Sequence, residues 1–203
     1  MTVITVSRLG GAGGRTLAKK ISRKLGYSFV DREIIRMVAK QTNVSSKWVE
    51  SIEKEAGNSL TKLIDGMISK NYFDRLLGDD KGYITEEIYE ETLTNVISSI
   101  AKEGNAVILG RGGQFILKDH KDTFHILLVA NRTDRINFVI KKHKFSTEKA
   151  TLLIDKYEKR RKNMFKKFHK AEYNNPEHYH LVINTSYVSL EKALDLICDL
   201  VRP

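Results

Sequence analysis

Apolar and polar positions alternate between two periods along this chain. The β-branched run Val3 to Val6 reads as a buried strand. Leu17, Ala18, Ile21 and Leu25 then recur at helical spacing. Tyr27 to Val30 is a second short strand, and Asp31 is placed to cap a helix that begins at Glu33. Residues 42 to 103 read as mostly helical. Ser45 or Ser46 caps Trp48, Val49 and Ile52; Leu60, Leu63, Ile64 and Met67 follow; the segment 78 to 82 is a polar loop. A helix from Thr85 carries Ile88, Leu93, Val96, Ile97 and Ile100 as its apolar stripe, and Gly104 ends it. Ala106 to Leu109 and Thr123 to Ala130 are near-continuous apolar runs, the mark of parallel strands covered on both faces. A helix opens at 131 to 135. Another is capped by Ser146 or Thr147 and runs through Ala150, Leu153 and Ile154 into a basic stretch. A last strand, His180 to Ile183, and a last helix, Ser189 to Val201, close the pattern.

This order predicts an α/β fold, a parallel sheet of about five strands with helices on both faces. At 203 residues the chain is long enough for one domain, and 41% apolar residues suffice for its core. No apolar run reaches the length of a membrane span and no signal-peptide pattern opens the chain, so the expectation is a cytoplasmic protein without membrane partners. The one cysteine, Cys198, lies on an apolar helical face and reads as a buried thiol. The net charge of +10 points to anionic partners.

The glycines say where an anion would sit. Between the first strand and the first helix lie Gly10, Gly11, Ala12, Gly13 and Gly14, followed by Arg15 and Thr16. A glycine loop that opens a helix lets backbone N–H groups and the positive end of the helix dipole approach a phosphate. Against the P-loop pattern G-x-x-x-x-G-K-[ST], Arg8 stands at the first glycine and Gly14 at the lysine. A dinucleotide fingerprint, Gly11-x-Gly13 with Asp31 twenty residues on, fits less well: its third small position is Thr16, and the next seventy residues look helical rather than returning to a strand.

Further candidates follow other strands. Asp31 and Arg32 end the second; Arg111, between Gly110 and Gly112, ends the third. From 159 to 170 there are seven lysines and arginines and no acid, a solvated face or a surface awaiting an anion. All these positions fall at strand C-terminal ends or on the basic helix, so they converge on one edge of the sheet, where α/β folds bind ligands.

Several ordered segments resemble the cytidylate kinase-like proteins, a divergent branch of the P-loop nucleoside monophosphate kinases. They are Ile4 to Arg8 before Gly10 to Arg15; Tyr27 with Asp31 to Ile35; Val107 to Gly112; Asp155 to Phe168; and Asn175-Pro176 with Tyr179 and Leu181 to Ser186. The resemblance implies a P-loop NTPase-type three-layer sandwich in a single domain. Its core would be 1–30, 104–145 and 178–203, with a helical monophosphate-binding insertion at about 31–103 and a basic lid at about 146–177. It implies ATP and Mg2+, phosphoryl transfer to CMP, dCMP or a related acceptor, and nucleotides as the partners. Carried over by residue, Gly10 to Thr16 would hold the ATP phosphates, with Thr16 as a metal ligand. Asp31, Arg32 and Arg111 would face the acceptor, and Arg160 and Arg161 would supply the lid cations. Arg15 or Lys162 would replace the missing lysine. Two other readings remain: a nucleotide-sensing module without transfer, and, as the weakest, a nucleic-acid binder using 132 to 170. The helical stretch 42 to 103 could offer a homodimer surface.

Overall fold

The computed structural model describes residues 2–31, 33–41, 86–168 and 172–201. Strands β1 (Val3–Arg8), β2 (Ser28–Val30), β3 (Ala106–Leu109), β4 (Thr123–Val129) and β5 (Leu181–Asn184) form one sheet. Its order is β2-β3-β1-β4-β5 and every pairing is parallel. Helices α1 (Gly14–Leu25), α2 (Glu33–Gln41), α3 (Glu86–Glu103), α4 (Gly113–Ile116), α5 (Arg132–His143), α6 (Thr147–Phe168) and α7 (Leu190–Val201) connect and cover it.

The strand period of two sorts the core into two layers. Ile4, Val6, Val107, Leu109, Ile126 and Leu128 face α1 and α7, meeting Leu17, Ala18, Ile21, Ala193 and Ile197. Val3, Ala106 and Ile108 face the other way, onto Ile34 and Val38 of α2 and Leu93, Val96 and Ile97 of α3. The sheet is therefore the middle of three layers, as the apolar runs predict. Cys198 is buried in α7.

Element ends follow the expected local chemistry. Gly104 takes φ 71° and its N–H reaches the Ile100 and Ala101 carbonyls, closing α3. The Ser146 hydroxyl accepts from the Lys149 N–H and caps α6. The Ser189 hydroxyl accepts from Lys192 in the same way at α7. The stripe on α3 needs one correction. Ile88 is 37% exposed while its neighbour Tyr89 is buried at 2%, because the face against α2 and β3 begins at 89. Ser45, Ser46, Trp48, the apolar positions from 49 to 67, the loop 78 to 82, Thr85 and Arg32 lie outside the described residues. His125 interrupts the apolar run of β4. It is buried, shares a hydrogen bond with Thr5 (2.8 Å), and is held neutral down to about 4 by burial and by the neighbouring His180.

Two features shape the site. First, β1 outruns β3. Val6 pairs with Leu109, the last residue of β3, while Ser7 and Arg8 continue along β4 alone. The Gly110 N–H donates to the Val6 carbonyl and the chain then turns away, which opens a crevice at the C-terminal end of β1. Second, α5 and α6 pack together through Val139, Ala150 and Ile154, a small cluster separate from the sheet layers.

Candidate active site

The crevice widens into a cleft of about 720 Å³, within the range of small-molecule sites. Its floor is Arg8 to Gly11, Gly13 and Gly14, with Leu109, Gly110 and Arg111 beside them. Phe138, Val139 and Leu153 form an apolar wall from α5 and α6. Lys142, Tyr157, Arg160, Arg161, Met164 and Phe165 complete the rim. Of the predicted site residues, Gly10, Gly11, Gly13, Gly14, Arg15, Asp31, Arg111, Arg160 and Arg161 meet here. Ala12 turns into the core at 2% exposure, and its carbonyl accepts from the Thr185 hydroxyl. Thr16, in the first turn of α1, is not among the lining residues.

Charge is the cleft's most pronounced property. Among the described residues six cations line it, Arg8, Arg15, Arg111, Lys142, Arg160 and Arg161, against one carboxylate, Asp31. That carboxylate is itself paired with Arg15 at 3.1 Å. Such an excess in a walled cleft focuses a positive field on whatever enters. The backbone adds to it. Gly13 takes a left-handed conformation before α1, and no side chain caps that helix, leaving its first-turn N–H groups to a ligand.

The loop is held from behind by a residue that the sequence reading passed over. Arg135 of α5 is buried. It donates to the carbonyls of Ala130 and Gly10 and pairs with Glu158 of α6 at 2.5 Å. Its backbone presses on the loop so closely that a Cβ at Gly11, whose φ is +86°, would stand 2.6 Å from the Arg135 carbonyl oxygen. Arg132 adds a second pair, 2.6 Å to Asp155. Charge spacing was the available signal: two arginines three apart in α5 face two acids three apart in α6.

Arg161 is drawn inward from the basic run. Its Nη2 donates to Ser7 Oγ, and its plane lies over the rings of Phe165 and Tyr173. Its Nε is buried without a hydrogen-bond partner. Burial and the adjacent Arg8 push its pKa down to about 10, which still leaves it charged. Arg111 adopts a left-handed backbone, φ 60°, uncommon for a residue with a side chain. Of the two residues expected to stand in for the missing lysine, Arg15 lines the cleft with its guanidinium on Asp31, and Lys162 is exposed and not among the lining residues. Among the described residues no group of three His, Cys, Asp or Glu could cage a metal ion, and no helix is long and apolar enough to cross a membrane.

Comparison with known proteins agrees with this geometry. The sequence model of the cytidylate kinase-like family matches residues 3–187. A cytidylate kinase of Pyrococcus horikoshii is 29% identical over 196 residues, covering 96% of this chain and 85% of that protein. An uncharacterized protein from Eubacterium ventriosum has a crystal structure that superposes with a TM-score of 0.71 at 17% identity, covering 99% of this chain and 98% of that one. A shikimate kinase from Bacteroides thetaiotaomicron superposes at 0.50 with 14% identity, covering 98% of each chain. These two structural likenesses concern the fold, which is that of the P-loop kinases.

Proposed function

The chain belongs to the cytidylate kinase-like family, and we propose that it transfers the terminal phosphoryl group of ATP to a nucleoside monophosphate, CMP or dCMP. The observation that carries this reading is the excess of six cations over one carboxylate around a glycine loop at the end of β1. A triphosphate and a monophosphate together bring negative charge that such a cleft can neutralise.

The roles follow from position. Gly10 to Gly14 and the first-turn N–H groups of α1 hold the ATP phosphates. Arg111, with Asp31 after the neighbouring strand, takes the acceptor side. Arg160 and Arg161 come from α6 onto the transferring group. Arg32 belongs beside Asp31 in this reading. An acceptor phosphate oxygen attacks the γ-phosphorus in line, and the bond from that phosphorus to the bridging oxygen of ADP breaks. Little covalent chemistry falls to the protein, so positioning and charge neutralisation carry the rate. The apolar wall of Phe138, Val139 and Leu153 keeps water from the γ-phosphate. A magnesium ion would be held mainly by phosphate oxygens and water, with the Thr16 hydroxyl in the first turn of α1 as the protein group that would reach it. When bound, that ion would neutralise phosphate charge.

The test is ATP-dependent phosphorylation across CMP, dCMP, UMP, AMP and GMP, following the diphosphate product. CDP or dCDP formed well above the rate of ATP hydrolysis is the expected result. No diphosphate from any acceptor, in protein that binds ATP, would replace transfer with nucleotide sensing, the reading that Gly14 at the lysine position favours.

A further inference from the structure

Two bare glycines hold one arginine. The Arg8 stem lies over Gly14, where a Cβ would stand 2.7 Å from Arg8 Cβ and Cγ. The Arg8 head lies over Gly110, where a Cβ would stand 2.2 Å from Nη1. A side chain on either glycine displaces the arginine, so the two loops together form its cradle. Among the described residues the Arg8 guanidinium has no hydrogen-bond or ion-pair partner, although it lines the cleft. Burial pushes the Arg8 pKa down, and Asp31, the carboxylate that opposes this, is already paired with Arg15. Arg161 is close enough to feel its charge. The molecule thus holds a fixed, unneutralised cation at the end of its central strand, an arrangement that costs free energy until an anion arrives.

We propose that Arg8 is the phosphate-binding cation of the glycine loop, and that Arg8 with Gly14 is an exchange of the glycine and lysine positions of a P-loop. This deepens the function proposed above and rests on it. A P-loop lysine reaches the β- and γ-phosphates from the position after the second glycine, which Gly14 occupies when Gly13 is that glycine. Here that position must be bare, because the space a lysine stem would occupy is filled by the stem of Arg8. The charge comes instead from the strand end beneath the loop. A guanidinium in this place presents a planar fork able to bind two phosphate oxygens at once, where an ammonium acts as a compact point charge. Its range is short and its direction fixed, which suits a cation clamped at both stem and head.

The test uses the full chain and four variants, R8Q, R8K, G14K and the double variant R8G/G14K, each checked for folding by thermal melting. R8Q keeps much of the stem over Gly14 and removes the charge. Its affinity for inorganic tripolyphosphate, measured by calorimetry, should fall at least tenfold, and its kcat for diphosphate formation by about a thousandfold. R8K should recover part of both. G14K alone should lose transfer through the clash with Arg8, and R8G/G14K should exceed both G14K and R8Q at least tenfold. Tripolyphosphate affinity and kcat within threefold of wild type in R8Q would overturn the role of Arg8. A double variant no better than G14K would overturn the exchange. If wild-type protein forms no diphosphate, the transfer reading fails by itself, and the tripolyphosphate titration of R8Q still decides whether Arg8 binds phosphate.

Discussion

Two glycine loops leave the neighbouring strands β1 and β3 and deliver arginine to one cleft, by different means. The first, Gly10 to Gly14, keeps its arginines outside the glycine run, Arg8 before it and Arg15 after it, and opens a helix of 12 residues. The second, Gly110 to Gly113, puts Arg111 inside the run on a left-handed backbone and opens a helix of only four residues. The first can therefore hold an anion with backbone N–H groups along a full helix dipole. A helix as short as α4 gives little of that, so the second loop depends on its side chain. The glycines also serve different neighbours. Gly11 is pressed by the backbone of Arg135, whereas Gly110 makes room for the side-chain head of Arg8. The first loop is thus bound up with the fold, and the second with function.

The largest effect expected from this contrast is at Gly11. The substitution Gly11→Ala meets backbone at 2.6 Å and a left-handed φ, so neither partner can move cheaply. It should cost about 3 kcal/mol or more in stability, combining overpacking with positive-φ strain, and reduce transfer by at least a hundredfold. Chemical denaturation and steady-state kinetics read both. A variant that retains wild-type stability would show that the first loop is no more tied to the fold than the second.

The second loop should separate the two properties. The substitution Arg111→Gly removes the guanidinium expected to hold the acceptor phosphate, and it also relieves a left-handed backbone that costs about 1 kcal/mol for a residue with a Cβ. Transfer should fall more than a hundredfold, with most of the loss in kcat/KM for the monophosphate. The melting temperature should be no lower than that of wild type. A drop in melting temperature comparable to that of Gly11→Ala would erase the distinction between the loops.

Much of this cleft was legible in the sequence because the governing rule is topological. Ligands of parallel α/β sheets gather at strand C-terminal ends, so the glycine loop with Arg15, Asp31 and Arg111 could be grouped from strand order, while Arg161 on the basic helix came from the family resemblance. The role of Arg8 was not legible. Compared with the P-loop pattern, it registered as an odd residue at one glycine position and Gly14 as a gap at the lysine. Their connection is steric, and it needs the 2.7 Å between one residue's stem and the other's missing Cβ. Arg135 escaped for a similar reason. Within α5 it reads as one more surface cation, and only the packing of α6 shows it buried against Glu158. The order β2-β3-β1-β4-β5 likewise depends on which strands share a hydrophobic layer, and strand-forming patterns do not carry that information.

The smallest expected effects concern how each loop is fastened to the elements behind it, and they sharpen the contrast from the other side. The first loop is fastened by charge, through Gly10, Arg135 and Glu158. The second is fastened by neutral contacts: Gln114 donates to the Tyr179 hydroxyl at 3.0 Å, and Phe115 sits 5.5 Å from Phe165. Substituting Glu158→Gln leaves the buried Arg135 without its carboxylate and should cost about 2 kcal/mol, less than the loss of a fully buried pair because Glu158 is one-third exposed. Tyr179→Phe leaves the buried Gln114 amide unsatisfied and should cost about 1 kcal/mol. Salt distinguishes the two fastenings. Raising ionic strength toward 1 M shortens the screening length to about 3 Å, so the gap to Glu158→Gln, whose carboxylate is one-third exposed, should narrow in part while the gap to Tyr179→Phe stays constant. Denaturation midpoints of the three proteins at low and high salt make the comparison. If both gaps closed alike, the two loops would be held by the same kind of force, and the division between a charged and a neutral attachment would fail.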